Sequence, residues 1–403
     1  MLFLSLIEPL SLLRSRLDNG QNTFVIVLAA PSFRISDLLV EDTSARQGKK
    51  NGFSLALLSL NRIFVPIMRN TAIFSVLFVA MALLAIANLL WGSLHIPVSS
   101  VIDILCGGET EGHPSWTLVI KESRFPQMIT AMLCGASLSC CGLMLQTTFR
   151  NPLAGPGILG IDAGANLGVA LVMLLLGGSV TLGGLSLGGY LLVIVAAMLG
   201  ALGIMALLLT LSSWLRSPVM LLIAGVIISY MTGSVISLLN FRASEEGVHS
   251  FVMWGMGSFN GVSLDRLPLY CILIFSGLLL SLLHVKPLDA MLLGDRYAAN
   301  LGVNVRRSRN GLLLSSGLLT ATTTAFCGPI SFLGLAVPHL TRMVFGISTH
   351  RILVPGSMLM GACLAMLCNL FSTLPAGGSV IPINVITPLV GAPVILYVIF
   401  THN

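Results

Sequence analysis

The chain has 403 residues, of which 55% are hydrophobic and only 9% are charged, whereas an average soluble domain is about 25% charged. So few charges cannot cover the surface of a soluble protein of this length, and the composition therefore predicts an all-α polytopic membrane protein. The net charge of +6 alone does not indicate nucleic-acid binding, because no other feature of the sequence supports it.

The N-terminal region differs from the rest of the chain. It has no basic start typical of a signal peptide, Glu8 and Pro9 interrupt its first apolar run, and the run FVIVLAA is far shorter than the ~20 residues that cross a bilayer. We expect residues 1–66 to form a cytoplasmic extension and residues 67–403 to form the transmembrane domain. An upstream mis-assigned start codon would explain the extension equally well.

From residue 70 onward, long apolar runs recur between short polar, Gly or Pro clusters. The pattern predicts ten membrane spans, of which the eighth is barely long enough to cross. The predicted spans are 70–92, 124–146, 158–178, 189–213, 218–240, 267–284, 308–326, 329–345, 352–372 and 383–400.

The basic residues predict the orientation, because Lys and Arg favour cytoplasmic loops. If the loops between the ten spans alternate across the membrane, one side would hold the basic N-terminal extension and most of the loop arginines. The other side would hold only Lys121, Arg124, Arg242 and Arg266. Seven acidic residues also fall on that second side. We therefore expect both termini to be cytoplasmic. The cytoplasmic loops would then contain Arg150, Arg216, Lys286, Arg296, Arg306, Arg307, Arg309, Arg342 and Arg351.

The turn RNPLAGPGILG, residues 150–160, is more elaborate than a simple loop requires. Asn151 and Pro152 would end one helix, and Pro156 would begin the next. The segment around it resembles residues 325–361, with Arg342 and Pro355 as the partners of Arg150 and Pro156. This similarity predicts a weak internal repeat, as many transporters have, although all membrane turns share Gly, Pro and Arg.

The longest basic loop spans residues 285–310, and its centre LGDRYAANLGV predicts a short helix closed by Gly302. Leu293, Tyr297 and Leu301 fall at i, i+4 and i+8, so they would share one apolar face. Such a face could lie on the bilayer surface or in the groove of a cytoplasmic partner. The periodicity favours the partner.

Motifs for covalent chemistry are weak or missing. GLSLG, residues 184–188, matches a hydrolase pattern around Ser186, but a short outer turn is the wrong context for that nucleophile. The sequence contains no GxxxxGK[ST] phosphate-binding loop, no HExxH and no CxxC pair, and seven of the eight cysteines lie in or beside apolar runs, which indicates core packing. Ionisable residues deep in the spans are nearly absent: Asp162 lies near the start of the third span and His339 near the inner end of the eighth. This scarcity argues against an ion-coupled carrier, so energy should come from outside the chain.

Several stretches together resemble the FecCD/BtuC-type permease subunits of bacterial ABC importers for iron–siderophore complexes, haem and vitamin B12. They occur in family order over about residues 70–400. These stretches are SRFPQMITAMLCGASLSCCGLMLQTTFRNPLAGPGILGI, LLIAGVIIS, WGMGSFNG, LGDRYAANLGVNVRR, GPISFLGLAVPHLTR, HRILVPGSMLMGA and INVITPLVGAP.

This resemblance implies a transport subunit of the bacterial inner membrane, with no catalytic residue, metal or cofactor of its own. It implies a dimer of permease subunits bound to two cytoplasmic ATPase subunits and one extracytoplasmic substrate-binding protein, with the fifth and tenth spans lining the pathway. The implied ATPase-coupling helix comprises Leu293, Gly294, Asp295, Tyr297, Ala298, Leu301 and Gly302. The implied cytoplasmic corner and gate comprise Arg150, Asn151, Pro152, Pro156, Ser217, Pro218, Val219 and Met220.

Two departures from the family pattern concern docking of the binding protein. Family members often have RLPR where this chain has Arg124-Phe125-Pro126-Gln127, and an arginine expected near Thr373 is missing. Docking would then depend on Lys121 and Arg124. The expected cargo is an iron–siderophore complex or haem, with cobalamin second. An ion-coupled secondary transporter is the alternative function, and a membrane hydrolase using Ser186 is a third.

Overall fold

A computed structural model describes residues 50–92, 94, 96–107, 114–176, 179–182, 185–215, 217–373 and 380–401, and most of the predicted N-terminal extension lies outside these ranges. The chain divides into two compact units, residues 1–71 and 72–403. The described helices are α1 Lys50–Leu90, α2 Val98–Leu105, α3 Pro114–Leu118, α4 Phe125–Phe149, α5 Ile161–Ala170, α6 Tyr190–Trp214, α7 Pro218–Arg242, α8 Glu245–Gly255, α9 Leu267–Leu283, α10 Val285–Leu292, α11 Asp295–Asn300, α12 Val305–Cys327, α13 Leu333–Phe345, α14 His350–Thr373 and α15 Ile383–Thr401.

Each of the ten predicted spans coincides with a helix, which confirms the all-α class. Among the described residues, five helices are long and apolar enough to cross a membrane, and a sixth span results if α9 and α10, bent by 49° at their junction, count as one. The segments 161–175, 333–345 and 383–397 are apolar but shorter. The number of ten spans therefore stays a prediction.

Helix α4 forms the centre of the bundle. Almost all of its residues are buried, and it packs against α12, α13 and α14. The contacts are close because small residues meet: a Cβ atom on Gly142 would lie 1.6 Å from the carbonyl oxygen of Gly334, and one on Gly135 would lie 2.1 Å from that of Gly361. Small residues at helix interfaces are the usual means of close packing in membranes.

Three elements depart from ordinary helical geometry. A π-helix, Val119–Arg124, joins α3 directly to α4, and a second π-helix, Leu171–Leu175, extends α5. Two short antiparallel strands, β1 Ser179–Leu182 and β2 Leu185–Gly188, form a hairpin in which Ser186 pairs with Thr181. Ser186 thus lies within a strand, not on the sharp turn that a hydrolase nucleophile requires.

Two features of the structure differ in detail from the sequence-based prediction. The eighth apolar run was expected to be helical from residue 329, but α13 begins only at Leu333 and has 13 residues. The proposed repeat partners also occupy different local structures, because Pro156 begins a 3₁₀ turn whereas Pro355 lies inside α14. The cysteine interpretation is confirmed: six of the eight thiols are buried, and Cys106 is exposed.

Candidate functional site

Parts of the predicted corner (150–156), gate turn (217–220) and coupling loop (293–302) line one groove. This open groove has a volume of about 780 Å³ and lies at the end of the bundle that the charge pattern assigns to the cytoplasm. It joins three segments that are more than sixty residues apart in sequence. Its lining residues are Phe149, Arg150, Pro218, Val219, Leu293, Gly294, Asp295, Arg296, Tyr297 and Asn300.

The corner is held by local hydrogen bonds and by a buried proline. Arg150 ends α4 in the left-handed conformation, with φ of 48°, and the Asn151 side chain accepts a hydrogen bond of 2.9 Å from the Leu153 amide. The Pro152 carbonyl accepts one of 3.0 Å from His339 Nε2. Pro156 is buried against Gly334. The corner is therefore fixed to both α4 and α13.

The coupling loop has two glycine-dependent turns around a single short helix. Gly294 (φ +119°) precedes α11 and Gly302 (φ +83°) follows it, conformations that favour glycine. Ala298 is fully buried, which fixes the inner side of α11. Gly302 does close the helical region, as predicted.

The predicted apolar face is present at the surface but is not a face of one helix. Leu293 ends the turn before α11, and Leu301 follows its last residue, so only Tyr297 lies within the helix. All three side chains are nevertheless exposed, by 66%, 51% and 59% respectively. An apolar surface that this chain leaves uncovered is available to a partner or to lipid.

Asp295 joins the coupling loop to two other parts of the bundle. The sequence placed this residue in the coupling helix but did not predict its ion pairs with Arg150 and Arg309. Its two carboxylate oxygens accept hydrogen bonds from Arg150 Nη2 at 2.7 Å and from Arg309 Nη2 at 2.9 Å. Arg309 is only 8% exposed, so this ion pair is partly shielded from water. Asp295 therefore holds α11 against the end of α4 and the start of α12. The only signal of these contacts in the sequence is an acidic residue at the first position of a short helix.

The predicted gate turn lines the groove through Pro218 and Val219. Ser217 precedes α7, and Pro218 is its first residue, the position at which proline is favoured. Val219 and Met220 are 58% and 57% exposed. This wall thus presents apolar side chains beside the corner.

The two predicted docking residues have different environments. Lys121 is exposed, whereas Arg124 is only 5% exposed. The Arg124 guanidinium donates hydrogen bonds to the carbonyls of Leu89 and Leu90, which the end of α1 would otherwise leave unsatisfied. It also donates one to the carbonyl of Leu94, just beyond that helix. Arg124 thus stabilises the junction of α1 and α4, and of the two residues Lys121 is the one at the surface.

The long apolar helices, packed closely through small residues, are those of an integral membrane protein. The FecCD transport family matches residues 79–401 of the chain, and the protein belongs to that family. Its members are transport permease subunits and not enzymes.

Individual relatives agree with this assignment. The chain is 35% identical to the hemin transport system permease protein HmuU of Yersinia pestis over 281 residues, which cover 70% of this chain and 82% of that protein. It is 34% identical to the vitamin B12 import system permease protein BtuC of Vibrio cholerae, over 71% of this chain and 83% of that one. A solved structure described as an inward-facing conformation of a metal-chelate type ABC transporter matches with a TM-score of 0.71 and 28% identity, over 82% of this chain and 99% of that one.

Proposed function

We propose that this protein is the permease subunit of an ATP-driven importer that moves a metal chelate or cobalamin across the bacterial inner membrane by alternating access. The observation that carries the proposal is the groove between the coupling loop, the corner and the gate turn. Leu293 and Tyr297 in the groove and Leu301 beside it in sequence are exposed, with no covering partner within the described part of this chain. They suit a cytoplasmic ATPase subunit that inserts between loop and gate.

The contacts around the groove suit the transfer of force. Asp295 binds Arg150 at the end of α4 and Arg309 in α12, so a displacement of α11 would displace both helices. Val219 and Met220 begin α7, so the same partner would also reach the gate. Rigid helices joined by such contacts can change together between two arrangements.

The surface of α7 supports assembly as a dimer. Only three of its residues are buried, although it is apolar along its whole length. We propose that this face contacts a second permease subunit around the pathway, as the family resemblance implies. Its large exposed side chains are Val219, Met220, Ile223, Ile227, Tyr230, Met231, Val235, Leu238 and Phe241.

The binding protein would dock at the opposite, predicted extracytoplasmic end. Lys121 is an exposed cation there, and we propose that it pairs with an acidic residue of that protein. Arg124 could contribute only if its hydrogen bonds to the end of α1 were released. In this orientation, both chain termini would be cytoplasmic.

The cargo is proposed from the relatives. They are named for hemin and vitamin B12, and the structural relative is described as a metal-chelate transporter. An iron chelate, either a siderophore complex or haem, is our first candidate and cobalamin the second. In each of these ligands a metal ion is held by a large organic molecule. A wide pathway between two subunits could accommodate such a bulky complex.

The test is affinity purification from native membranes in mild detergent, with and without crosslinking, followed by mass spectrometry. We expect an ATPase subunit in near-equal amount, together with a binding protein whose bound ligand identifies the cargo. Uptake assays separate the alternative. Transport that persists without any ATPase but stops when the ion gradient is dissipated would establish a secondary transporter instead.

A further inference from the structure

A buried histidine connects three helices beside the coupling loop. His350, the first residue of α14, is 1% exposed. Its Nδ1 atom lies 2.8 Å from Asp289 Oδ1 on α10, and its Nε2 atom lies 2.7 Å from Thr147 Oγ1 on α4. None of these three residues belongs to the groove.

The hydrogen bonds on the Asp289 side have one possible direction. A carboxylate only accepts hydrogen bonds, so His350 Nδ1–H is the donor. The same oxygen also accepts from the backbone N–H of His350 at 2.6 Å. Asp289 therefore caps α14, since it satisfies a first-turn amide that has no partner within its own helix and places negative charge at the helix N-terminus.

On the Thr147 side, the chain of hydrogen bonds can exist in two arrangements. The Thr147 hydroxyl has one hydrogen, and its oxygen lies 3.0 Å from the Leu143 carbonyl as well as 2.7 Å from His350 Nε2. It either donates to Leu143 and accepts from a protonated Nε2, or it donates to an unprotonated Nε2. Rotation of one hydroxyl keeps α4 and α14 connected in both cases.

Helix α10 is the element that this chain of hydrogen bonds holds. It leads directly into the coupling loop, and its Leu288 and Met291 side chains are buried where α10 packs against α4 and α14. The Met291 carbonyl also accepts a hydrogen bond of 3.4 Å from Arg150. Movement of the loop would therefore reach α10 at the base of the groove.

We propose that Asp289, His350 and Thr147 form a positioning chain that carries displacement of the coupling loop into α4 and α14. His350 is its central positioning residue. A buried polar chain is costly in a membrane bundle unless every member is satisfied, and here both side-chain contacts of His350 cross between helices. This inference rests on the proposed function, because it assigns a route for the force that the ATPase would supply.

The experiment measures ATP hydrolysed per molecule imported by the complete complex in proteoliposomes. The probe is radiolabelled haemin or vitamin B12, whichever the wild-type complex imports. Thr147→Val removes the hydroxyl but keeps the shape, and Thr147→Ser restores the hydroxyl as the matched control. Asp289→Ala removes the acceptor, and Asp289→Asn keeps it without charge.

We expect Thr147→Val and Asp289→Ala to raise the ATP-to-cargo ratio about fivefold, the effect of losing one net hydrogen bond. Thr147→Ser and Asp289→Asn should stay near the wild-type ratio. A merely structural role would lower the melting temperature and the amount of complex without changing this ratio. Because Asp289→Ala also removes the cap of α14 and can prevent assembly, Thr147→Val is the deciding variant.

An unchanged ratio in assembled Thr147→Val would overturn the positioning chain and leave the proposed function intact. Failure of the proposed function looks different. In that case the wild-type protein itself would import cargo without any ATPase, and the variants would not be needed for the decision.

Discussion

Helices α4 and α7 are both apolar and both long enough to cross a membrane, yet their surroundings are opposite. The most apolar stretch of the α3–α4 segment is 89% buried within this chain, whereas that of α7 is 17% buried. The difference follows from residue size and polarity. Gly, Ser, Cys and Thr are frequent in α4, while Ile, Leu, Met and Phe cover α7.

Hydrophobicity thus shows that a helix enters the membrane, and small residues show which helix lies at the centre of the protein. Lipid is as apolar as leucine, so helices pack closely only where small side chains let their backbones approach or where polar groups bond. A large apolar face without small residues is left for lipid or for another subunit. The four predictions below test this contrast and its consequences at the groove.

The largest effect is expected at the closest approach of two backbones in the bundle. Gly142→Leu would place a Cβ atom 1.6 Å from the Gly334 carbonyl oxygen, and backbone cannot move aside as a flexible side chain can. We expect no folded protein, a cost beyond the ~1–3 kcal/mol of ordinary overpacking. The amount of expressed protein and its monodispersity in detergent measure whether the variant folds. Gly203→Leu on α6, where an added Cβ atom would meet no atom within 4 Å, is the control and should behave as wild type.

The second prediction concerns the exposed end of the coupling loop. Leu301→Asp should abolish the coupling of ATP hydrolysis to uptake, because a charge replaces an apolar contact with the ATPase subunit. The melting temperature should hardly change, since a surface substitution alters stability by about 0.5 kcal/mol or less. Leu301→Met, which stays apolar, should keep transport. Normal uptake by Leu301→Asp would remove the coupling assignment.

A third, smaller effect is expected at the ion pair that fixes the loop. Asp295→Ala leaves the buried Arg309 guanidinium without its carboxylate, so we expect a loss of roughly 1–3 kcal/mol in stability and weaker transport. Asp295→Asn should be intermediate, because one amide oxygen replaces two charged ones. Thermal unfolding of the purified permease measures the stability of each variant, and an uptake assay measures its transport. If Asp295→Ala were as stable as wild type, the Arg150–Asp295–Arg309 contacts would not hold the loop.

The bundle could be predicted well from sequence, and the reason is the strength of the apolar signal over twenty residues. All ten predicted segments are helical, and the loop at 293–302 was located by its periodicity. Shorter features were not predictable in the same way. The π-helix before α4 has no distinct residue pattern, and the burial of Arg124 depends on where α1 ends.

Long-range polar partners were also missed, for a related reason. Asp289, His350 and Thr147 are separated by sixty or more residues, and each has an ordinary local sequence. Their contact exists only because α10 folds back against α4 and α14. Sequence periodicity reports which side of a helix is apolar, but it does not report which helix packs against it.

The smallest effect is expected on the exposed face of α7. Phe241 is 87% exposed, so Phe241→Ala should change the melting temperature of the subunit little. If this face contacts a second permease subunit, the crosslinked dimer fraction should fall. Leu199→Ala on α6, also an exposed apolar position, serves as the comparison and should leave the dimer unchanged. A lower melting temperature with an unchanged dimer would contradict the contrast between α4 and α7.

The most direct test of the account is photo-crosslinking from the groove in native membranes. Benzoylphenylalanine incorporated at position 297 replaces an exposed tyrosine of the coupling loop, and the same group at position 199 is the control. We predict a covalent product between position 297 and an ATPase subunit, identified by mass spectrometry and missing from the control. A transport-competent protein that crosslinks only to lipid from position 297 would contradict the claim that this groove binds the ATPase.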